Sequence, residues 1–174
     1  LDDYYCTSEA WSVKTSAQRV LAATNSWLHA QTRRSQHAYD RDKGYVCTLS
    51  AMVIKSTTAH IFHVGDSRIY RVSGNALEQL TTDHRVIISS QQSYLGRALG
   101  VNPQIEIDYQ SHHVEKGDVF VLAPPFVTPE DVRDRIGEIR FQLRGQTGRR
   151  RLRRAYAAVS ARSEAFVREQ RRQI

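Results

Sequence analysis

The sequence predicts an α+β fold, and three observations carry that reading. An amphipathic helical period over residues 12–31 comes ahead of any strand. From Cys47 onward the apolar period drops to two, and several extended runs follow at hairpin-length spacing. After the last of them, Thr128-Pro129-Glu130-Asp131 supplies a hydroxyl cap, a proline in the first turn and acids at the positive helix end. Connections this short argue antiparallel pairing, because parallel strands need longer crossovers. Helices segregated from a run of strands mean α+β.

Taken in order, Ser12 is the expected N-cap of the first helix, and Val13, Ala17, Val20, Leu21, Thr24 and Leu28 fall at steps of three and four. Trp27 flanks that stripe and is expected to help bury it. Residues 31–44 are polar, lack apolar periodicity and read as a loop. Strands are predicted over residues 47–54 and 59–64, joined by a turn at 55–58 into a hairpin. Gly65-Asp66-Ser67 interrupts the pattern and residues 68–72 resume it. Ser73-Gly74-Asn75 is a turn ahead of a short strand at 77–80. Thr81, Thr82 and Asp83 offer caps for a short helix through Ser90. Residues 95–99 are a small-residue stretch ended by Gly100 and Asn102-Pro103. Two further strands are expected at 105–114 and 119–122.

The chain has 174 residues, 40% hydrophobic and 25% charged, with 9 Gly and 4 Pro, which suits one globular domain and excludes collagen, mucin and disulfide scaffolds. No apolar run approaches the roughly 18 to 20 residues a membrane span needs, the chain opens on Leu1 rather than Met, and no signal peptide is expected. Two cysteines make neither a disulfide framework nor a four-ligand zinc site, so a reducing cytoplasm is the expected compartment. Cys47 is expected to pack as a small apolar residue. The net charge of +7 divides unevenly: residues 137–174 hold 11 Arg, no Lys and 3 Glu, which leaves residues 1–136 at −1. The body is not built around a cationic surface, and nucleic-acid binding rests on the tail alone.

The most pointed segment is HVGDSRIYR, residues 63–71. An apolar strand ends, a glycine permits a tight bend, and Asp66 sits exposed at the strand tip. A carboxylate at a sheet rim can bind a hard cation such as Mg²⁺ or Mn²⁺, although one carboxylate is not a metal site, and a turn in which Asp66 caps its own backbone remains open. The other titratable residues point to ordinary roles. His60 and His63 lie three apart on a strand and so on opposite faces; His112 and His113 diverge; His29 and His37 belong to a helix surface and a loop. His63, Asp66 and Ser67 do not make a hydrolytic triad, since a serine nucleophile needs a base oriented by a third group. Asp40, Asp42 and Gly44 lack the glutamate a calcium loop requires.

HVGDSRIYR, LEQLTTDH (77–84), SYLGRALG (93–100) and KGDVFVLA (116–123) follow one another at natural spacing. Together they closely resemble the central part of the metal-dependent protein phosphatases, the type 2C class of serine/threonine phosphatases. The likeness is tighter to bacterial members, some of which are fused to a protein kinase domain. It covers about residues 1–123 and at most extends to 136. The resemblance implies an incomplete α-β-β-α sandwich, two packed antiparallel sheets flanked by helices. It also implies a Mn²⁺ or Mg²⁺ pair whose bridging water attacks phosphoserine or phosphothreonine of a protein substrate. A cognate kinase is the implied partner. By motif, Asp66 matches an aspartate that binds an additional ion outside the core pair. Gly65, Ser67 and Arg68 shape its turn, Asp83 and His84 are structural, and Gly117 and Asp118 form the turn that opens a strand.

Three departures from the family pattern set the expectation for activity. The first metal motif, an Asp-Gly before the first long helix, has no counterpart, nor has the earlier arginine that grips phosphate. Where the family carries a ligand-bearing Asp-Gly after residue 123, this chain reads Pro124-Pro125-Phe126, which offers no side-chain oxygen. The late Asp-Asn motif has no match in residues 137–174. No catalytic residue is therefore assigned, and little or no turnover is expected from the chain as written. The domain division is 1–136, phosphatase-like, and 137–174, an Arg-rich tail. A gene fragment with a disrupted frame near or after residue 123 is the expected origin of that tail. A basic helix through Leu152, Tyr156, Val159 and Phe166 is its rival. The alternatives to an impaired phosphatase are a non-catalytic interaction module and a nucleic-acid binder acting through the tail.

Overall fold

Ser12 opens the first long helix: its hydroxyl accepts the Thr15 N–H at 3.1 Å, satisfying one of the amides a helix start leaves unpaired. The computed structural model describes residues 2–36, 38, 44–89 and 92–143. After a single turn, α1 (Asp2–Tyr5), comes α2 (Val13–Arg34), which runs past its predicted end and closes with Arg33 and Arg34 beside its negative terminus. Of the predicted stripe, Val13 and Ala17 are buried and Val20, Leu21, Thr24 and Leu28 are half-buried, while Ser16 and Asn25, outside it, are buried as well. Val13 and Ala17 pack with Phe62, joined by Leu21, Val53, Ile107 and Tyr109. Trp27 does not help: it is 59% exposed, because it lies beside the stripe and off the sheet-facing side.

Eight strands follow: β1 (Leu49–Lys55), β2 (Thr58–Val64), β3 (Arg68–Ser73), β4 (Ala76–Gln79), β5 (Arg85–Ser89), β6 (Gln92–Leu95), β7 (Asp108–His113) and β8 (Val119–Ala123). They form three antiparallel sheets in the orders β1-β2-β7, β4-β3-β8 and β5-β6. The first two are the expected pair. Ile61 of β2, Ile69 of β3 and Leu80 make the core between them, with Met52 and Phe120 against it. Along β2 the pleat sends Ile61 to this interior and Phe62 to α2, so one strand serves both layers. The two expected sheets and the helix over one of them agree with an incomplete α+β sandwich.

Four local expectations are corrected. The short helix through Ser90 is instead β5, pairing Arg85 with Leu95 and Val86 with Tyr94. The run Val86-Ile87-Ile88 decides it, since β-branched residues lose rotamer freedom in a helix and fit a pleated surface. Cys47 is exposed; only its backbone is engaged, bridging Leu99 in both directions. Asp66, expected exposed, is 7% exposed. The strand predicted from 105 begins at Asp108, and residues 40 and 42 of the discounted calcium loop, with His37, lie outside the described residues.

By Cα proximity the chain divides into two compact parts, Leu1–Val127 and Thr128–Ile174. The second starts as predicted: Thr128 and Asp131 cap each other reciprocally at 2.8 and 3.2 Å ahead of α3 (Pro129–Leu143). Of the Arg-rich tail predicted over 137–174, residues 137–143 end α3 and residues 144–174 lie outside the described residues.

Candidate functional site

The bend Gly65-Asp66-Ser67 does more than end a strand. It carries the chain from β2 in one sheet to β3 in the other, so the two strands are neighbours in sequence but not paired. Gly65 has φ +109°, and a Cβ there would collide with the Thr48 side chain. Only glycine makes this corner without strain.

His84 holds the corner from the other side. Its N–H donates to the Gly65 carbonyl at 2.8 Å, and the Gly65 N–H donates back to His84 Nδ1 at 3.0 Å. Nδ1 therefore carries no proton, and the Nε2–H donates to Asp108 Oδ2 at 2.9 Å. Arg97 Nη1 donates to the other oxygen of Asp108 at 2.8 Å. Desolvation pushes the Asp108 carboxyl up, but the bonds from His84 and Arg97 outweigh it and hold it below its ordinary value.

His63 lies beneath, 1% exposed, its ring 4.8 Å from that of His84. Its Nε2–H donates to the Thr82 carbonyl at 3.0 Å, and its Nδ1 lies 2.9 Å from Ser50 Oγ. Ser50 Oγ also lies 2.9 Å from Ser67 Oγ. Burial first, and then the neighbouring His84, depress the His63 pKa below 6.5. His63 thus meets Ser67 only through Ser50, and no carboxylate orients it, so a hydrolytic triad is absent here. His60, on the opposite face, lies with its Nδ1 2.9 Å from the Tyr109 hydroxyl.

Each carboxylate tied into this corner has an arginine. Arg85 Nη1 donates to Asp66 Oδ2 at 2.7 Å. Arg68 grips Asp83 in a fork, Nε to Oδ1 at 2.9 Å and Nη2 to Oδ2 at 2.6 Å. Arg97 takes Asp108. Further along β3, Arg71 Nη2 donates to Asp118 Oδ2 at 2.6 Å, and the Glu115 N–H reaches the same oxygen at 2.9 Å. The Glu115 amide and then Arg71 hold the Asp118 carboxyl low. Gly117, with φ +105°, precedes it in that turn.

Among the described residues no three His, Cys, Asp or Glu side chains come together to hold a metal ion. After β8 the chain turns at Pro124, whose carbonyl accepts the Val127 N–H at 3.1 Å, and neither proline supplies a ligand oxygen. The described residues do not fit a two-metal centre. What they build is a braced corner joining two sheets.

The family model for protein phosphatase 2C matches residues 3–123. The chain belongs to the protein phosphatase 2C family. A serine/threonine phosphatase from Listeria welshimeri is 29% identical over 124 residues, covering 58% of this chain and 48% of its own length. The chain thus spans about half the length of the curated relative it matches. Among solved structures, the Mycobacterium tuberculosis serine/threonine phosphatase PstP/Ppp superposes with a TM-score of 0.64 at 19% identity, over 78% of this chain and 64% of that one. The S. agalactiae serine/threonine phosphatase gives 0.65 at 19%, over 86% and 65%. PstP with two manganese ions gives 0.60 at 18%, over 75% and 60%. These structural likenesses establish the protein phosphatase 2C fold for the chain.

Several residues of the site escape a sequence reading. Asp108 and Ser50 lie away from the bend in sequence and nothing local marks them, whereas Arg97 falls within the SYLGRALG segment but drew no role there. Buried Asn25 is another: Nδ2 donates to the Asn102 carbonyl at 2.9 Å and Oδ1 accepts the Gly100 N–H at 2.8 Å, fastening the 100–103 turn to α2. Arg85 had a signal, since it directly follows the LEQLTTDH segment.

Proposed function

We propose that this chain is the central part of a metal-dependent protein serine/threonine phosphatase and that, as it stands, it turns over little or no phosphoester. The family match over residues 3–123 supports the first half of that reading. The observation that carries the second is Pro124-Pro125-Phe126 directly after β8, where the family has a ligand-bearing Asp-Gly. A Mn²⁺ or Mg²⁺ pair would do the chemistry in an intact member, activating water and neutralising phosphoryl charge. The substrate class is a phosphoserine or phosphothreonine protein, and a cognate kinase is the natural partner. Exposed free Cys6 and Cys47 favour a reducing, cytoplasmic compartment. No helix among the described residues is long and apolar enough to cross a membrane. The family match ending at residue 123 supports a phosphatase-like body over 1–136 and a separate tail, from a disrupted frame, over 137–174.

A second reading, a non-catalytic module that keeps the sandwich without the chemistry, is favoured by the arginine on each corner carboxylate. One experiment separates the two: p-nitrophenyl phosphate hydrolysis by the purified chain, with and without millimolar Mn²⁺, beside Asp66→Ala. The expected result is no Mn²⁺-dependent turnover. Turnover that needs Mn²⁺ and falls in Asp66→Ala overturns the impaired assignment. A folded, monodisperse and inactive chain favours the module.

A further inference from the structure

Asp66 is the residue that the family likeness makes a cation ligand, and the structure gives it a different cation. Its Oδ2 accepts from Arg85 Nη1 at 2.7 Å, and only 10% of its side chain is exposed. Arg85 is itself anchored: Nε and Nη2 donate to Ser93 Oγ at 3.3 and 3.1 Å, across the β5-β6 ladder. The Arg85 side chain is 39% exposed and sets its guanidinium on this nearly buried carboxylate.

A hard divalent ion asks for about six oxygen ligands. Asp83 and Asp108, the other acids tied into this corner, are held by Arg68 and by His84 with Arg97. An ion arriving at Asp66 would find one carboxylate oxygen already bound by Nη1 of a permanently charged guanidinium, and the other corner acids among the described residues already paired.

We propose that Arg85 is a resident counter-ion at Asp66, excluding a divalent cation from this corner and clasping the β5-β6 arm to the junction between the sheets. The proposal takes the family role of Asp66 as its starting point, yet it stands whether or not the chain hydrolyses phosphoesters, because hydrolysis is not what its test reads.

The test is a Mn²⁺ titration of the whole ¹⁵N-labelled chain, following paramagnetic broadening of the Gly65, Asp66 and Ser67 amides. It is repeated for Arg85→Gln and for Arg85→Gln with Asp66→Asn. The native chain should show no selective broadening at concentrations that broaden these amides in Arg85→Gln. The apparent affinity should be at least tenfold tighter in that variant and lost again in the double variant. Equal broadening of native chain and Arg85→Gln overturns the proposal, as does the absence of broadening in a folded Arg85→Gln. Should Arg85→Gln not fold, the native titration still decides: selective broadening of Gly65–Ser67 overturns the proposal, and its absence up to millimolar Mn²⁺ supports it.

Discussion

His63 and His84 lie with tilted rings 4.8 Å apart at the junction of two sheets, and protonation of the buried His63 bears on stability. His63 is neutral in the fold because burial and its neighbour lower its pKa below the ordinary 6.5. The unfolded chain therefore binds a proton that the folded chain refuses. Stability from this residue is complete above pH 6.5 and is lost as the pH falls from there through the depressed folded value. Asp108, held below its ordinary 3.8, acts in the same direction in a lower window, losing its contribution as the pH falls below 3.8. Urea midpoints between pH 7.5 and 5 should fall for the native chain and flatten for His63→Gln. Unchanged pH dependence in a folded variant would remove His63 from the account. The strand position of His63 was legible in the sequence, and so was its separation from His60, because a period of two fixes opposite faces; His84 was read as part of a helix-capping segment and lies just ahead of β5. Their partners were not: Asp108 and Ser50 reach the bend only through the fold, and no spacing rule joins residues so far apart.

At the scale of elements, the β5-β6 arm is where reading and structure part. Thr81, Thr82 and Asp83 are good caps, but two of them are engaged elsewhere: Thr81 Oγ1 accepts the Ile69 N–H at 3.0 Å, and Asp83 pairs with Arg68. With the caps engaged elsewhere, the β-branched run settles the backbone. Among the described residues the arm has two strands and no third, and it leaves Ile87 76% and Ile88 66% exposed. Replacing both by Thr should change unfolding free energy by less than about 0.5 kcal/mol, as for other exposed sites. It should also lower self-association, measured by light scattering across a concentration series, because an apolar two-stranded ribbon with free edges is a template for pairing. Equal association of variant and native chain would assign the sticky surface elsewhere. The long helix and the hairpin β1-β2 were read correctly for a simpler reason: their periodicity agrees with what each buries.

The molecule as a whole rests on a thin interior in which Ile61, Ile69 and Leu80 join the two three-stranded sheets. Ile69 is fully buried, so Ile69→Ala should cost about 2–5 kcal/mol. Chemical denaturation reads that loss directly, and a shift below about 1 kcal/mol would mean that the sheets do not depend on this contact. The α+β class was legible because helices and strands occupy separate stretches. The assignment of strands to sheets was not, since the three-residue bend after β2 looks like a hairpin turn and is a crossing. The order β1-β2-β7 has one further consequence, which concerns synthesis. On a growing chain β2 can pair with β1 at once, but its other edge must wait until β7 has been made, after β3, β4 and the β5-β6 ribbon. That delay keeps an apolar strand half-paired while the ribosome works through the intervening segments, and sets the closure of one long loop as the step on which assembly waits. A chaperone that shields strand edges would find its target on β2 in that interval.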